Sequence, residues 1–320
     1  MNLSIPWVEK YRPDKLSGID GNEYIKRSLG NYGGINSIPH LLFYGPPGTG
    51  KTSTILAMAK EYYGNNLKSM VLELNASDDR EISVVRGVIS TFCTNNSVMS
   101  SGIVKLVILD EADAMTVDAQ SALRRVMEKN TRNIRFCICC NYINKISPAL
   151  QSRCTKFRFK PLENDSLKNT AMRVIDNENV SITEEGICSI IDISCGDARK
   201  VINILQSLSL ASSGKTISSE MVYKFMGIPN PKQIEYILGI LLKCNFKESY
   251  DKIQKRIKDD GFSLVDVVRN LTNLVINDTS CIPDEKLGII LDEFSNIEYN
   301  LSAGGCENIQ LGLLIGAFHL

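Results

Sequence analysis

No stretch of this 320-residue chain reaches the roughly 18 consecutive apolar residues that a membrane-spanning helix needs. Met1–Trp7 does not carry the charged and apolar regions of a secretory signal. Ten cysteines include a single CxxC spacing, Cys137 to Cys140 inside an apolar run, and His40 and His319 are the only histidines, so the paired spacing of a zinc site is missing. A chain of this length does not depend on disulfide staples. Net charge is missing too, with 36 Lys and Arg against 36 Asp and Glu, and there is no internal repeat or low-complexity tract. The expectation is a soluble protein with free thiols in a reducing compartment and no membrane partner.

What is present is ordinary for a globular protein: 43% apolar and 22% charged residues exclude a disordered or fibrous chain. At about 150 residues per domain, two or three domains are expected. The zero net charge conceals an asymmetry. Residues 1–159 hold 20 Lys and Arg against 14 Asp and Glu, and residues 160–320 hold 16 against 22. A basic half joined to an acidic half hints at a polyanionic partner for the first part, although solvated surface charge alone can produce such a split.

The first half alternates short apolar runs with segments of helical period. His40–Tyr44, Met70–Leu74, Val104–Leu109 and Ile134–Cys140 read as strands, interleaved with helices over Thr52–Tyr63, Arg80–Phe92 and Val117–Glu128. That alternation predicts a parallel sheet covered on both faces. Cys137, Cys139 and Cys140 fall inside the fourth run, where cysteine serves as a small buried hydrophobe. After Lys160–Pro161 the strands stop. Helical period marks Ser166–Asn177, Thr183–Ser194, Asp197–Ser212 and Ser218–Met226, and Gly227–Pro231 is the best linker. Five further amphipathic helices follow: Lys232–Cys244, Lys247–Asp259, Ser263–Asn277, Asp284–Leu301 and Glu307–Leu320. Such an array is either a self-contained bundle or an oligomerisation surface.

Two motifs carry chemistry. Gly45-Pro46-Pro47-Gly48-Thr49-Gly50-Lys51-Thr52 matches GxxxxGK[ST] between an expected strand and an expected helix. Glycines there let backbone N–H groups wrap phosphates, and the helix N-terminus adds positive potential. Lys51 would reach the β- and γ-phosphates, and the Thr52 hydroxyl would ligate Mg²⁺. The second motif is the apolar run Leu106–Leu109 ending in Asp110-Glu111. There Asp110 would hold Mg²⁺ through water and Glu111 would polarise the attacking water. A lone acidic pair at a strand end usually just begins a loop, but the phosphate loop upstream changes that balance. Asp110-Glu111-Ala112-Asp113 also spells a helicase signature, and the companion motifs of that family are missing from the sequence.

Taken in order, six segments make a pattern: Trp7–Pro13 (WVEKYRP), the phosphate loop, Leu74–Arg80 (LNASDDR), Asp110–Asp113, Ser152-Arg153-Cys154 and Gly196-Asp197-Ala198-Arg199. The chain resembles the replication factor C small subunits, clamp-loader ATPases of the AAA+ superfamily, strongly from Trp7 to about Ser207 and more loosely beyond. Val71–Asn75, Asp113–Thr116 and Cys139–Tyr142 point to one eukaryotic branch of that family. The resemblance implies an α/β fold: a RecA-like parallel-sheet core over residues 1–160, a helical lid over 161–227 and an all-α collar for oligomerisation over 228–320.

The same resemblance implies roles. Asn141 would be sensor 1, aligning the lytic water, and Arg199 sensor 2, reaching from the lid to the γ-phosphate. Val8 and Arg12 would line the nucleotide pocket. The ATP-binding set is then Val8, Arg12, Gly45, Pro46, Pro47, Gly48, Thr49, Gly50, Lys51, Thr52, Ser53, Asn141 and Arg199, with Mg²⁺ on Thr52 and Asp110. Catalysis falls to Lys51, Asp110, Glu111, Asn141 and Arg199, joined by Arg153 as the arginine finger supplied in trans to a neighbouring subunit. Asn75 would restrain Glu111 until DNA arrives. Arg80 and Arg86, about 120° apart around a helix, would track DNA phosphates. Arg124 and Arg125 either join them or, for Arg124, pair with Glu128. The segment from Phe92 to Met99 would touch the clamp, although Phe92 equally suits a core.

Two substitutions depart from the family pattern. Glu81 stands where glycine usually follows the Asp-Asp-Arg triplet, and Lys200 where a second arginine is common. The chain also stops at His319-Leu320, earlier than most relatives. The function implied is an ATPase subunit that, with the other subunits of a hetero-pentamer, opens the sliding clamp (PCNA) and loads it onto primer–template DNA in the nucleus during replication and repair. The alternatives are a nucleotide-binding scaffold with little turnover in the same or a related clamp loader or unloader, and a DNA-unwinding or branch-migrating motor. For the motor the sequence offers no strand-separating loop or pore aromatic.

Overall fold

The computed structural model describes residues 5–77, 85–94, 103–212, 214–277 and 282–319. The chain forms two compact units: Met1–Ser181 with Ile190–Gly214, and Ile182–Ser189 with Lys215–Leu320. The first is built on a parallel sheet of β1 (Leu41–Tyr44), β2 (Val71–Asn75), β3 (Lys105–Asp110), β4 (Ile134–Cys140) and β5 (Thr155–Arg158), in the order β2-β3-β4-β1-β5. The three central strands are those whose residues are almost all buried. Successive side chains of a strand point to opposite faces, and two separate cores result. One takes Leu41, Phe43, Leu106, Ile108, Cys137 and Cys139, covered by Ile55 and Met58 of the helix Lys51–Tyr63. The other takes Leu42, Val107, Leu109, Phe136, Ile138 and Cys140, covered by Leu123 and Met127 of the helix Val117–Asn130. The three cysteines of β4 therefore act as packing atoms, and burial pushes the Cys140 thiol up to about 12.

The four strands read from sequence are present within a residue or two of their expected ends. β5 was not foreseen. Its sequence, Thr155-Lys156-Phe157-Arg158, buries only Phe157, because an edge strand needs one apolar residue rather than a run. Also unforeseen are the short helices Trp7–Lys10, Glu23–Gly30 and Pro148–Gln151. Of the helix expected over Arg80–Phe92, residues 85–94 are described and are helical, while Arg80 lies outside the described residues.

The helices Asn164–Glu178 and Ala198–Ser212 complete the first unit. The second is helical, with a parallel bridge between Ile182 and Ile217. The helices Pro231–Lys243, Phe246–Asp260, Leu264–Asn277, Asp284–Ser302 and Glu307–His319 share one core that includes Ile237, Leu241, Leu271, Ile297 and Leu314. The turn 227–230 joins two of its helices: Gly227 ends Ser219–Met226 at φ 65°, and Asn230 opens the next with a capping box to Gln233. Among the described residues no helix is long and apolar enough to cross a membrane.

Candidate nucleotide-binding site

The carboxyl ends of parallel strands, where the strand order reverses, are where open α/β sheets place their ligands. Here β1 lies beside β4 and β5, both later in the chain. β1 runs into the loop 45–50, β3 ends at Asp110, and β4 is followed by Asn141. The loop can only be built from glycine at its tightest points. Gly45 has φ 147°, and a Cβ there would lie 2.2 Å from the Phe159 carbonyl oxygen; at Gly48, with φ 67°, it would lie 1.6 Å from the Asp197 carboxylate.

The functional side chains meet within hydrogen-bond distance. The Lys51 ammonium, 8% exposed, donates to the carbonyls of Gly45 and Pro46 at 2.8 Å each and to Asn141 Oδ1 at 2.9 Å. Burial pulls its pKa below the usual lysine range, opposed by the nearby Asp110 carboxylate. The Thr52 hydroxyl donates to Asp110 Oδ2 at 2.6 Å, while Asp110 Oδ1 accepts from the Glu111 amide at 2.9 Å. Two adjacent hard oxygen donors at a helix start suit Mg²⁺, which keeps most of its waters. Glu111 sits at φ 51°, a left-handed conformation uncommon outside glycine and a mark of functional positions.

One cleft in the first unit is lined by Pro47 to Ser53, by Asp110, Glu111, Asn141 and Arg199, and by Val8 and Arg12. Gly45 and Pro46 act behind it, through the carbonyls that hold Lys51. Arg199 comes from the helix Ala198–Ser212, whose first amide, Ala198 N–H, donates to the Gly48 carbonyl at 3.1 Å. Val8 and Arg12 are carried by a segment tied down at three points: the Trp7 amide donates to Gln206 Oε1 at 3.1 Å, and Lys10 and Tyr11 donate to Glu178 Oε1 at 2.6 and 2.7 Å.

Sequence reasoning missed the cluster of Asp20, Thr170 and Arg173, which lines the same cleft. Asp20 Oδ2 accepts from the Thr170 hydroxyl at 2.7 Å and from Arg173 Nη2 at 2.8 Å. The available signal was an arginine beside the buried stripe Ala171, Val174 and Ile175.

Other expected residues either do not line the cleft or lie outside the described residues. Arg153 does not line the cleft; it donates from Nη1 to the Ala149 carbonyl at 2.7 Å and from Nη2 to Glu128. Asn75 Oδ1 accepts from the Ser77 amide at 3.0 Å in a local turn. Arg80, Val98 and Met99 lie outside the described residues, and for Arg86 only the backbone, in the helical stretch Val85–Ile89, is described. Phe92 packs at the edge of the second core beneath the Lys105 ammonium. Arg124 Nε lies 4.0 Å from Glu128 Oε1, the pairing that was one of its two readings.

Residues 41–162 match the family model of the ATPase family associated with various cellular activities (AAA), and residues 229–317 match that of the replication factor C C-terminal domain. A Dictyostelium discoideum protein named probable replication factor C subunit 5 is 47% identical over 99% of this chain and 91% of its own length. The human replication factor C subunit 5 is 45% identical over 99% of this chain and 92% of its own. Replication factor C subunit 3 of Saccharomyces cerevisiae is 41% identical over 98% and 93%. Among solved structures, the Thermotoga maritima RuvB Holliday junction branch migration motor superposes with a TM-score of 0.56, covering 76% of this chain and 85% of its own. At 16% identity that likeness speaks to the fold alone.

Proposed function

The chain belongs to the replication factor C small subunits, in the branch whose members are called subunit 5 in animals and subunit 3 in budding yeast, and from that membership we propose that it is the ATP-hydrolysing part of a clamp loader that opens PCNA and sets it on primer–template DNA. It does so within a hetero-pentamer, in the nucleus, in replication and in repair. ATP occupies the cleft with its phosphates on the loop 45–52. Lys51 turns from the loop carbonyls to the β- and γ-phosphates, and Asn141 and Glu111 orient and polarise the attacking water. Arg199 reports the γ-phosphate to the helix that carries it. Thr52 and Asp110 would hold Mg²⁺, which would supply positive charge to the phosphates.

The observation that carries this reading is one of separation. The lysine, the metal-binding oxygens, both sensors and the catalytic carboxylate line or border one cleft, while Arg153 of the same chain lies outside it and is bound to Glu128. A cleft that Arg153 does not enter fits subunits that complete each other's sites. Basic residues of the first unit supply phosphate contacts, which give affinity without reading sequence. That suits a machine acting at any primer end.

The test is ATPase activity of the chain alone and after assembly with the other subunits, with and without clamp and primed DNA. The expected result is stimulation by clamp and DNA that disappears on Lys51→Ala or Arg153→Ala. A rate indifferent to clamp and DNA would leave an ATPase with a different target.

A further inference from the structure

Arg153 is held at two points by its own subunit. Nη1 donates to the Ala149 carbonyl at 2.7 Å and Nη2 pairs with Glu128 Oε1. Its backbone is fixed as well: the amides of Arg153 and Cys154 donate to the carbonyls of Leu150 and Gln151, closing the turn between the helix Pro148–Gln151 and β5. Glu128 stands on another element, the helix Val117–Asn130. The same oxygen, Oε1, also faces Arg124 Nε at 4.0 Å, an atom that is buried and has no hydrogen-bond partner. One carboxylate is thus shared by two guanidinium groups from two parts of the chain, leaving the trio with a net charge of +1. About a third of the Arg153 side chain remains accessible, 35%.

We infer that Glu128 is the positioning residue for Arg153, setting the guanidinium in the direction from which it enters a neighbouring subunit's site. The inference rests on the reading of Arg153 as a finger acting in trans. A half-exposed arginine without a partner samples many rotamers, and that freedom must be given up when its charge meets a phosphate. The carboxylate removes it beforehand. Arg124, four residues back on the same helix, adds positive charge beside that oxygen at 4.0 Å without a hydrogen bond to it. The surplus positive charge and the N–H groups left over by the two contacts remain for the anion. An isolated surface ion pair contributes little to stability, so the role of Glu128 shows in rate rather than in folding.

The experiment compares complexes assembled with the full chain carrying Arg153→Ala, Glu128→Gln, Glu128→Asp, or Arg153→Ala with Glu128→Gln, all assayed with clamp and primed DNA. The Arg153-dependent rate is the difference between the unaltered complex and the Arg153→Ala complex. Glu128→Gln is expected to lower that part by about tenfold to a hundredfold, the loss that an ångström of misplacement brings. The KM for ATP, the melting temperature and the yield of complex stay unchanged. Glu128→Asp, which keeps the charge at shorter reach, falls between the two, and the double variant is no slower than Arg153→Ala alone. If Arg153→Ala leaves the rate unaltered, the reading of Arg153 fails and takes this inference with it. If Arg153→Ala slows the complex but Glu128→Gln does not, or speeds it, or adds a further loss in the double variant, only the inference is overturned. Should the Gln variant not assemble, Glu128→Asp at the full unaltered rate overturns it as well.

Discussion

His40 closes the gap between β1 and β4: its Nδ1 accepts from the Phe136 amide at 3.2 Å, and the ring is 9% exposed. Burial first, and the Arg135 charge second, lower its pKa from 6.5 to about 4. As pH falls, the unfolded chain therefore takes up this proton before the folded chain does. The contribution to stability is whole above pH 6.5 and is lost as pH falls toward 4. Urea unfolding is expected to show His40→Gln flattening the pH dependence between pH 7 and pH 5 by roughly 2 kcal/mol, at 1.36 kcal/mol per pKa unit. Gly48 makes the opposite kind of prediction, since any Cβ there is both strained and in collision with Asp197. Gly48→Ala should cost at least about 1–3 kcal/mol and abolish ATP binding, and adding Asp197→Ala should recover part of the stability because it removes the collision but not the strain. Glu111→Gln keeps the shape of the strand end while removing the carboxylate. In the assembled complex hydrolysis at this site should fall by ~10²–10⁴ with ATP affinity retained; an unaltered rate would favour a scaffold with little turnover.

Elements were legible in proportion to how deeply they are buried. β3 and β4 bury nearly every residue, and their apolar runs stand out in the sequence. β5 buries Phe157 alone among Thr155, Lys156 and Arg158, so its pairing with β1 is a tertiary fact with almost no local trace. The site divides the same way. Lys51, Thr52 and Asp110 follow from a loop and a strand end, and Asn141 from the family resemblance, whereas Asp20, Thr170 and Arg173 come together across about 150 residues of chain for which no motif stands. Caps are another feature that sequence shows only in part. The linker expected at Gly227–Pro231 is a turn closed by the Asn230–Gln233 capping box. Asn230→Ala should lower the stability of the helical second unit by about 0.5–2 kcal/mol, read by hydrogen exchange on the helix Pro231–Lys243, with the ATP cleft unaffected.

At the scale of the whole molecule, the proposed function makes the chain half of a catalytic pairing. Arg153, the finger in that reading, does not line the cleft and is bound to Glu128. The isolated chain should bind ATP yet hydrolyse it at least ~10³ times more slowly than the assembled complex, the typical worth of a finger supplied in trans. Fast turnover by a monodisperse monomer would contradict this. On the proposed function, DNA affinity of the assembled complex should fall steeply with salt and depend little on sequence, as phosphate contacts would make it.

The hydrogen bond from the Ala198 amide to the Gly48 carbonyl makes the phosphate loop a fulcrum. The helix Ala198–Ser212, pivoted there, is a rigid arm of about 22 Å at 1.5 Å per residue. Arg199 sits one residue from the pivot and Ser212 at the far tip. A pull on Arg199 strong enough to tilt the arm by about 10° would sweep that tip through about 4 Å, an amplification set by arm length alone. On the proposed role of Arg199, gearing of this kind would turn the arrival or departure of a single phosphate into a displacement large enough to make or break contacts between proteins.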